Sequence, residues 1–286
     1  MKSLIIKKGI PMIPVIPFLV LAAMYLIFPA MGIIAQGFQS PSTGAFSLEN
    51  YKTIFSKIIY IRTIQNSLSL SFISTILGML ISFLAALALT SVSKRTESLV
   101  MSILSMTSNF AGLPLAFAFI LVVGNTGVIR QLFETANLTW LDGFNLYSTD
   151  GVMLIFIYFQ IPLGTLLLVP SFQAIRKEWK EAAALMHANS FQFWLRVGLP
   201  MLLPGLMGTF GMLFANALTA YATVYVLMSN NFPLMAIKIT TLFTGDAVAQ
   251  EELGSALAIL MIIFMLAVIG LCNLATRLFY KGGDIK

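Results

Sequence analysis

Six long apolar stretches, whose cores carry no Asp, Glu, Lys or Arg, limit most tightly what this chain can fold into. They run from about Pro14 to Gln36, Ile64 to Val92, Leu99 to Val123, Val152 to Phe172, Val197 to Met228 and Leu253 to Phe279. A hydrocarbon core of about 30 Å takes roughly 20 apolar residues in a helix, so each stretch is long enough to cross. Strands of a membrane barrel would instead show segments of about ten residues with alternating polarity. Hydrophobic residues make up 58% of the 286 positions and charged ones 10%, too apolar a balance for a soluble core of this size. The expected fold is therefore all-α, a polytopic membrane protein with six transmembrane helices. No stretch is polar enough for a soluble domain, so residues 1–286 are read as a single transmembrane domain.

Charge sets the expected orientation. With the N-terminus inside, the inner segments hold Lys2, Lys7, Lys8, Lys94, Arg95, Arg176, Lys177, Lys180, Arg196, Arg277, Lys281 and Lys286. The outer segments hold only Lys52, Lys57, Arg62, Arg130 and Lys238. Cytoplasmic loops carry the basic excess, so both termini are expected on the cytoplasmic side. Most acids then lie outside: Glu49, Glu134, Asp142, Asp150, Asp246, Glu251 and Glu252. The basic start before the first apolar run resembles a signal peptide. The run is too long for one and lacks a small-residue exit, so it reads as a retained first span. Cys272 alone forms no disulfide framework or Cys-rich metal site. No basic run exceeds two residues, which argues against nucleic acid despite a net charge of +6.

The outer connections are long and offer surfaces for an external partner or simple solvated links. They include Leu48-Glu49-Asn50-Tyr51, a short helix expected over Gly127 to Ala136, Trp140, and Asn230-Asn231 before Pro233. Polar residues within the spans are neutral: Asn66, Asn109, Gln160, Asn216, Thr219 and Tyr221. They fit two readings equally, the lining of a path or interhelical hydrogen bonds of about 1 kcal/mol each. Pro114 and Pro162, each two residues from a glycine, predict kinks.

The connection between the fourth and fifth spans, about 173–198, carries the sharpest signal. Ala, Leu, Met, Glu and Lys favour helix, so Glu178 to Met186 is expected to be a short one. Ala182 and Ala183 give it a small face that admits a close backbone. Glu181-Ala182-Ala183, with Leu199-Pro200 and Pro204-Gly205 downstream and Phe191, Phe193 and Val197 between, resembles the EAA motif of ABC importer permeases. The resemblance covers about 62–280 and extends to the Leu48–Tyr51 element and to Asn66-Ser67-Leu68. It points to the cluster of polyamine, ferric-iron, sulfate and phosphonate permeases. It departs at one position, where His187 stands in place of the motif glycine. His and Asn tolerate the left-handed region better than most residues, so His187 or Asn189 is expected to make the turn.

The resemblance implies a non-catalytic membrane subunit of the type I importer fold. Its coupling loop, with Glu181, Ala182, Ala183, His187, Ala188, Leu199 and Pro200, would contact a cytoplasmic ATPase. ATP and magnesium would belong to that ATPase, since this chain has no Gly-x-x-x-x-Gly-Lys-Ser/Thr loop. The further partners implied are a second permease subunit, a heterodimer rather than a homodimer, and an external solute-binding protein. The implied location is the inner membrane, and the implied cargo a polyamine or phosphonate-type solute. The alternatives are an ion-coupled carrier, which would place ionisable residues within the bilayer, and a non-transport scaffold or receptor. An enzyme is disfavoured because His187 has no second histidine with which to build a ligand set.

Overall fold

The computed structural model describes residues 15–136, 143–229, 232–245 and 249–281. Lys2, Lys7, Lys8, Pro14, Trp140, Asp142, Asn230, Asn231, Asp246 and Lys286 of the reading above lie outside them. The described residues form helices joined by turns, with one isolated antiparallel bridge between Gln39 and Phe46. In chain order the helices are α1 (Ile16–Gly37), α2 (Glu49–Ser56), α3 (Ile58–Leu89), α4 (Lys94–Ser108), α5 (Leu113–Val123) and α6 (Val128–Thr135). They continue with α7 (Thr149–Gln173), α8 (Lys177–Leu185), α9 (Ser190–Leu218), α10 (Ala222–Met228), α11 (Met235–Thr244) and α12 (Glu251–Lys281). Among the described residues, six helical stretches are long and apolar enough to cross a membrane, with α5 and α6 together making the third.

Two expected spans are corrected. The third was read as one run from Leu99 to Val123, but the chain breaks at Asn109–Gly112. Gly112 sits at φ 71° and ψ −133°, a conformation that only glycine adopts without strain, and Pro114 opens the next helix. Pro114 therefore starts α5 instead of kinking a longer helix. The fifth span was read as Val197 to Met228, broken near its start by prolines. The helix instead begins at Ser190, runs through Pro200 and Pro204, and ends at Leu218.

A widened turn over Trp194–Gly198 makes room for Pro200. The Leu199 amide reaches back to the Trp194 carbonyl, five residues away. A proline ring clashes with the carbonyl four residues before it, and the extra residue in the turn moves that carbonyl aside. The same device recurs in α1, where a widened turn over Ala23–Ile27 comes just before Pro29.

The chain divides into two compact units. One comprises the chain up to Ile61 together with Lys238–Met261. Here the buried Asn50 side chain donates to the carbonyls of Gln39 (2.8 Å) and Gly37 (3.4 Å). It thereby satisfies acceptors that the end of α1 leaves open. Phe38 stacks on Phe46 and packs against Tyr51. Burial pushes the Tyr51 phenol up from its ordinary pKa. Ser255 donates to Gln36 within the same unit.

The other unit, Arg62–Ile237 with Ile262–Lys286, holds two apolar clusters. One gathers Leu115, Val152, Ile155, Phe156, Ala217 and Val224. The other gathers Ala86, Leu89, Leu168, Phe172, Leu202 and Leu206. Helix α4 covers the second with Val100, Met101 and Leu104, an amphipathic stripe at helical spacing.

Candidate coupling loop and path-facing breaks

Helix α8 realises the short helix expected from composition, one residue earlier at each end. None of its residues is buried. Leu185 and the following Met186 are 84% and 82% exposed. Glu181 and Ala182 are exposed and Ala183 is half-buried.

Hydrogen bonds close both sides of the turn after α8. The amide of His187 donates to the Ala184 carbonyl and that of Ala188 to the Ala183 carbonyl, each at 3.0 Å. These are the two bonds of a Schellman ending, which needs a left-handed residue between them. His187 is that residue, at φ 56°. Asn189 does something else. Its side chain accepts from the Gln192 amide at 2.8 Å, while the Gln192 side chain accepts from the Asn189 amide at 3.0 Å. This reciprocal box caps the start of α9.

The loop is fastened to the helices beneath it by aromatic contacts. The Lys180 ammonium lies 5.4 Å from the Trp194 ring centroid and 5.9 Å from that of Phe193. Trp194 packs against Phe172, and Phe172 meets Phe83 edge-on at 5.0 Å. These contacts run from α8 to α9 at Trp194, to α7 at Phe172 and to α3 at Phe83. Leu199 and Pro200 are exposed in α9, just after the widened turn. Sequence reasoning missed Lys180 and Trp194. The only available signal was their aromatic–cation spacing across the turn.

The polar candidates within the spans separate into two kinds. Gln160 is fully buried and donates to the Ser74 hydroxyl at 2.8 Å, joining α7 to α3. Its amide oxygen has no hydrogen-bond partner among the described residues. Asn66 donates to the Pro233 carbonyl. By contrast, Asn109, Asn216 and Thr219 are exposed, and Tyr221 is half-buried. These four lie at or beside two helix breaks, 109–112 and 219–221. The breaks meet where Thr223 donates to the Gly112 carbonyl at 3.2 Å. Tyr221 stacks on Tyr225 at 5.1 Å, adding a residue that sequence reasoning did not single out. Among the described residues, no three of His, Cys, Asp and Glu gather as a metal site would require.

The family described as "Binding-protein-dependent transport system inner membrane component" matches residues 51–281. The chain belongs to that family. It is a multi-pass permease subunit of an ATP-binding-cassette importer. The permease is 29% identical over 253 residues to a probable sulfate transport system permease protein of Prototheca wickerhamii, covering 84% of this chain and 94% of that one. It is 24% identical over 251 residues to a putative ferric transport system permease protein of Haemophilus influenzae, covering 85% of this chain but only 38% of the longer relative. A bacterial alginate transporter, crystallised in complex with an alginate pentasaccharide-bound periplasmic protein, contains a chain of the same fold. The TM-score is 0.72 at 18% identity, over 96% of both chains. A chain of the methionine transporter MetNI in its inward-facing state matches with a TM-score of 0.56 at 15% identity, over 77% of this chain and 95% of that one.

Proposed function

We propose that this permease transmits the closure of a cytoplasmic ATPase through α8 and the turn behind it. Both termini and this loop would face the cytoplasm. Glu181, Ala182 and Ala183 would form the docking face. His187 and Ala188 would hold the turn, and Leu199 and Pro200 would direct the motion into α9. ATP and magnesium would act in the ATPase, and catalysis would not occur on this chain. The observation that carries this reading is a helix with no buried residue, closed by backbone bonds at its end and followed at once by a capped helix. A nine-residue helix is marginal without tertiary packing, and this one buries no residue, so its shape is best explained by a surface it meets.

The path would be completed by a second permease subunit, a different chain on the strength of the resemblance. An external binding protein would deliver the solute to it. The breaks offer Asn109, Asn216, Thr219 and Tyr221, all neutral hydrogen-bonding groups. Such a lining suits a small oxyanion of the phosphonate or sulfate type better than a polyamine, which would call for carboxylates or an aromatic cage. The sulfate relative is in line with this choice, and the ferric relative is not.

The test is Glu181→Lys in the intact importer. The variant should reach the membrane yet lose ATP-driven uptake and retain less ATPase on co-purification. Wild-type uptake with a full complement of ATPase would overturn the coupling assignment.

A further inference from the structure

Beside the coupling loop lies a cavity of about 480 Å³ to which the proposed transport cycle assigns no occupant. Lys94, Lys177 and Lys180 converge on its wall, with Glu97, Phe172 and Trp194. Glu97 is already committed, since Lys94 pairs with it at 2.9 Å and Gln173 donates to its other oxygen. Lys177 and Lys180 have no carboxylate partner among the described residues. The cavity therefore presents net positive charge. Trp194 is also a wall of a second groove, of about 250 Å³, whose remaining lining is Phe83, Leu87, Phe191, Leu195 and Leu199. A basic pocket and a wholly apolar groove thus share one indole.

We propose that this paired site holds one anionic phospholipid. Its phosphate lies against Lys177 and Lys180, and one acyl chain follows the groove between α3 and α9. The apolar half decides in favour of lipid over an acidic protein segment. A soluble partner has no reason to fill a groove between two membrane-spanning helices, whereas a lipid has a headgroup and a chain for the two compartments. Basic pockets at span ends take anionic headgroups for this electrostatic reason, and Trp suits the boundary between apolar and wet surroundings. An occupant here would touch Lys180, and through it the underside of α8. Bilayer composition would then bear on the stiffness of the coupling loop.

Native mass spectrometry of the full-length permease in mild detergent tests the site independently of transport. Phosphatidylglycerol and phosphatidylcholine are titrated in parallel, and inorganic phosphate is added as a competitor. One phosphatidylglycerol per chain should remain bound at concentrations where phosphatidylcholine does not. Lys177→Gln should weaken it by roughly fivefold, the worth of one lysine near a membrane surface. Lys180→Gln should do the same, with Lys180→Arg restoring binding. Phosphatidylglycerol with brominated chains should quench Trp194 fluorescence, seen as quenching lost in Trp194→Phe. Equal retention of the two lipids, or binding indifferent to both lysines, overturns the proposal. Displacement by inorganic phosphate would show a free-oxyanion site instead. Displacement by the co-purified ATPase would show a protein contact. Either of these also overturns it. Loss of coupling in Glu181→Lys leaves this binding readout untouched, so the two readings fail separately.

Discussion

The Thr223 hydroxyl donates to the Gly112 carbonyl at 3.2 Å, joining two helix breaks that are 111 residues apart in sequence. Each break frees backbone groups that a continuous helix would satisfy internally, and membrane interiors tolerate this only against protein or a water-lined space. The bond meets part of that demand. Thr223→Val keeps the shape and removes the donor, and should cost about 1 kcal/mol. Gly112→Ala should cost about 1–3 kcal/mol through a backbone conformation essentially reserved to glycine, although the nearest neighbour of an added Cβ, on Ala222, is an acceptable 3.6 Å away. Apparent unfolding temperature and uptake by the reconstituted importer check both. Unchanged values in both variants would separate the breaks from stability and from the path.

Gln160 and Ser74 behave as a pair. Removing one partner leaves a buried polar group stranded, whereas replacing both leaves none. Ser74→Ala should therefore destabilise by about 1–3 kcal/mol, and Ser74→Ala with Gln160→Met should recover most of the loss. The double variant should also transport normally, because Gln160 is fully buried. A transport defect in a stable double variant would return Gln160 to the path.

His187 gives an opposite pair of outcomes. At φ 56° a glycine has no steric cost and a β-branched residue has the most. His187→Gly should leave coupling intact and slow hydrogen exchange at the amides of 187 and 188, with a gain of roughly 0.5–1 kcal/mol. His187→Val should speed that exchange and lower the ATPase activity stimulated by the binding protein. Equal exchange in the two variants would show that the Schellman ending does not hold the turn.

These sites also mark how far residue patterns alone could be followed. Apolar run length reached the number of spans because the bilayer sets one dimension for each of them, but it set the third one too early in the chain. Run length is blind to breaks made within apolar sequence, so the interruptions at Asn109–Gly112 and after Leu218 passed as continuous helix. Gly112 and Pro114 did signal the first break, but they were read as a kink. The residue that turns the coupling loop was legible down to a choice between His187 and Asn189. What decided it was Gln192, whose side chain completes a capping box and commits Asn189 to the next helix. Lys180 against Trp194 was out of reach, since the pair meets only after the turn has brought α8 back over α9.

The proposed orientation rests on charge alone and invites a direct measurement. Arg176, Lys177 and Lys180 cluster at one end of α8's loop, while Arg130 and Glu134 lie on α6 before the fourth span. Retention of basic loops on the cytoplasmic side would put Glu178 inside and Thr135 outside. Both side chains are exposed, so a cysteine at either can react once a reagent reaches it. The native Cys272 is buried, and replacing it with alanine gives a silent background. In intact spheroplasts an impermeant maleimide should label Thr135→Cys and spare Glu178→Cys until the membrane is opened. Labelling of Glu178→Cys from outside would place the coupling loop on the wrong face for any ATP-driven partner, and the proposed mechanism would fall with it.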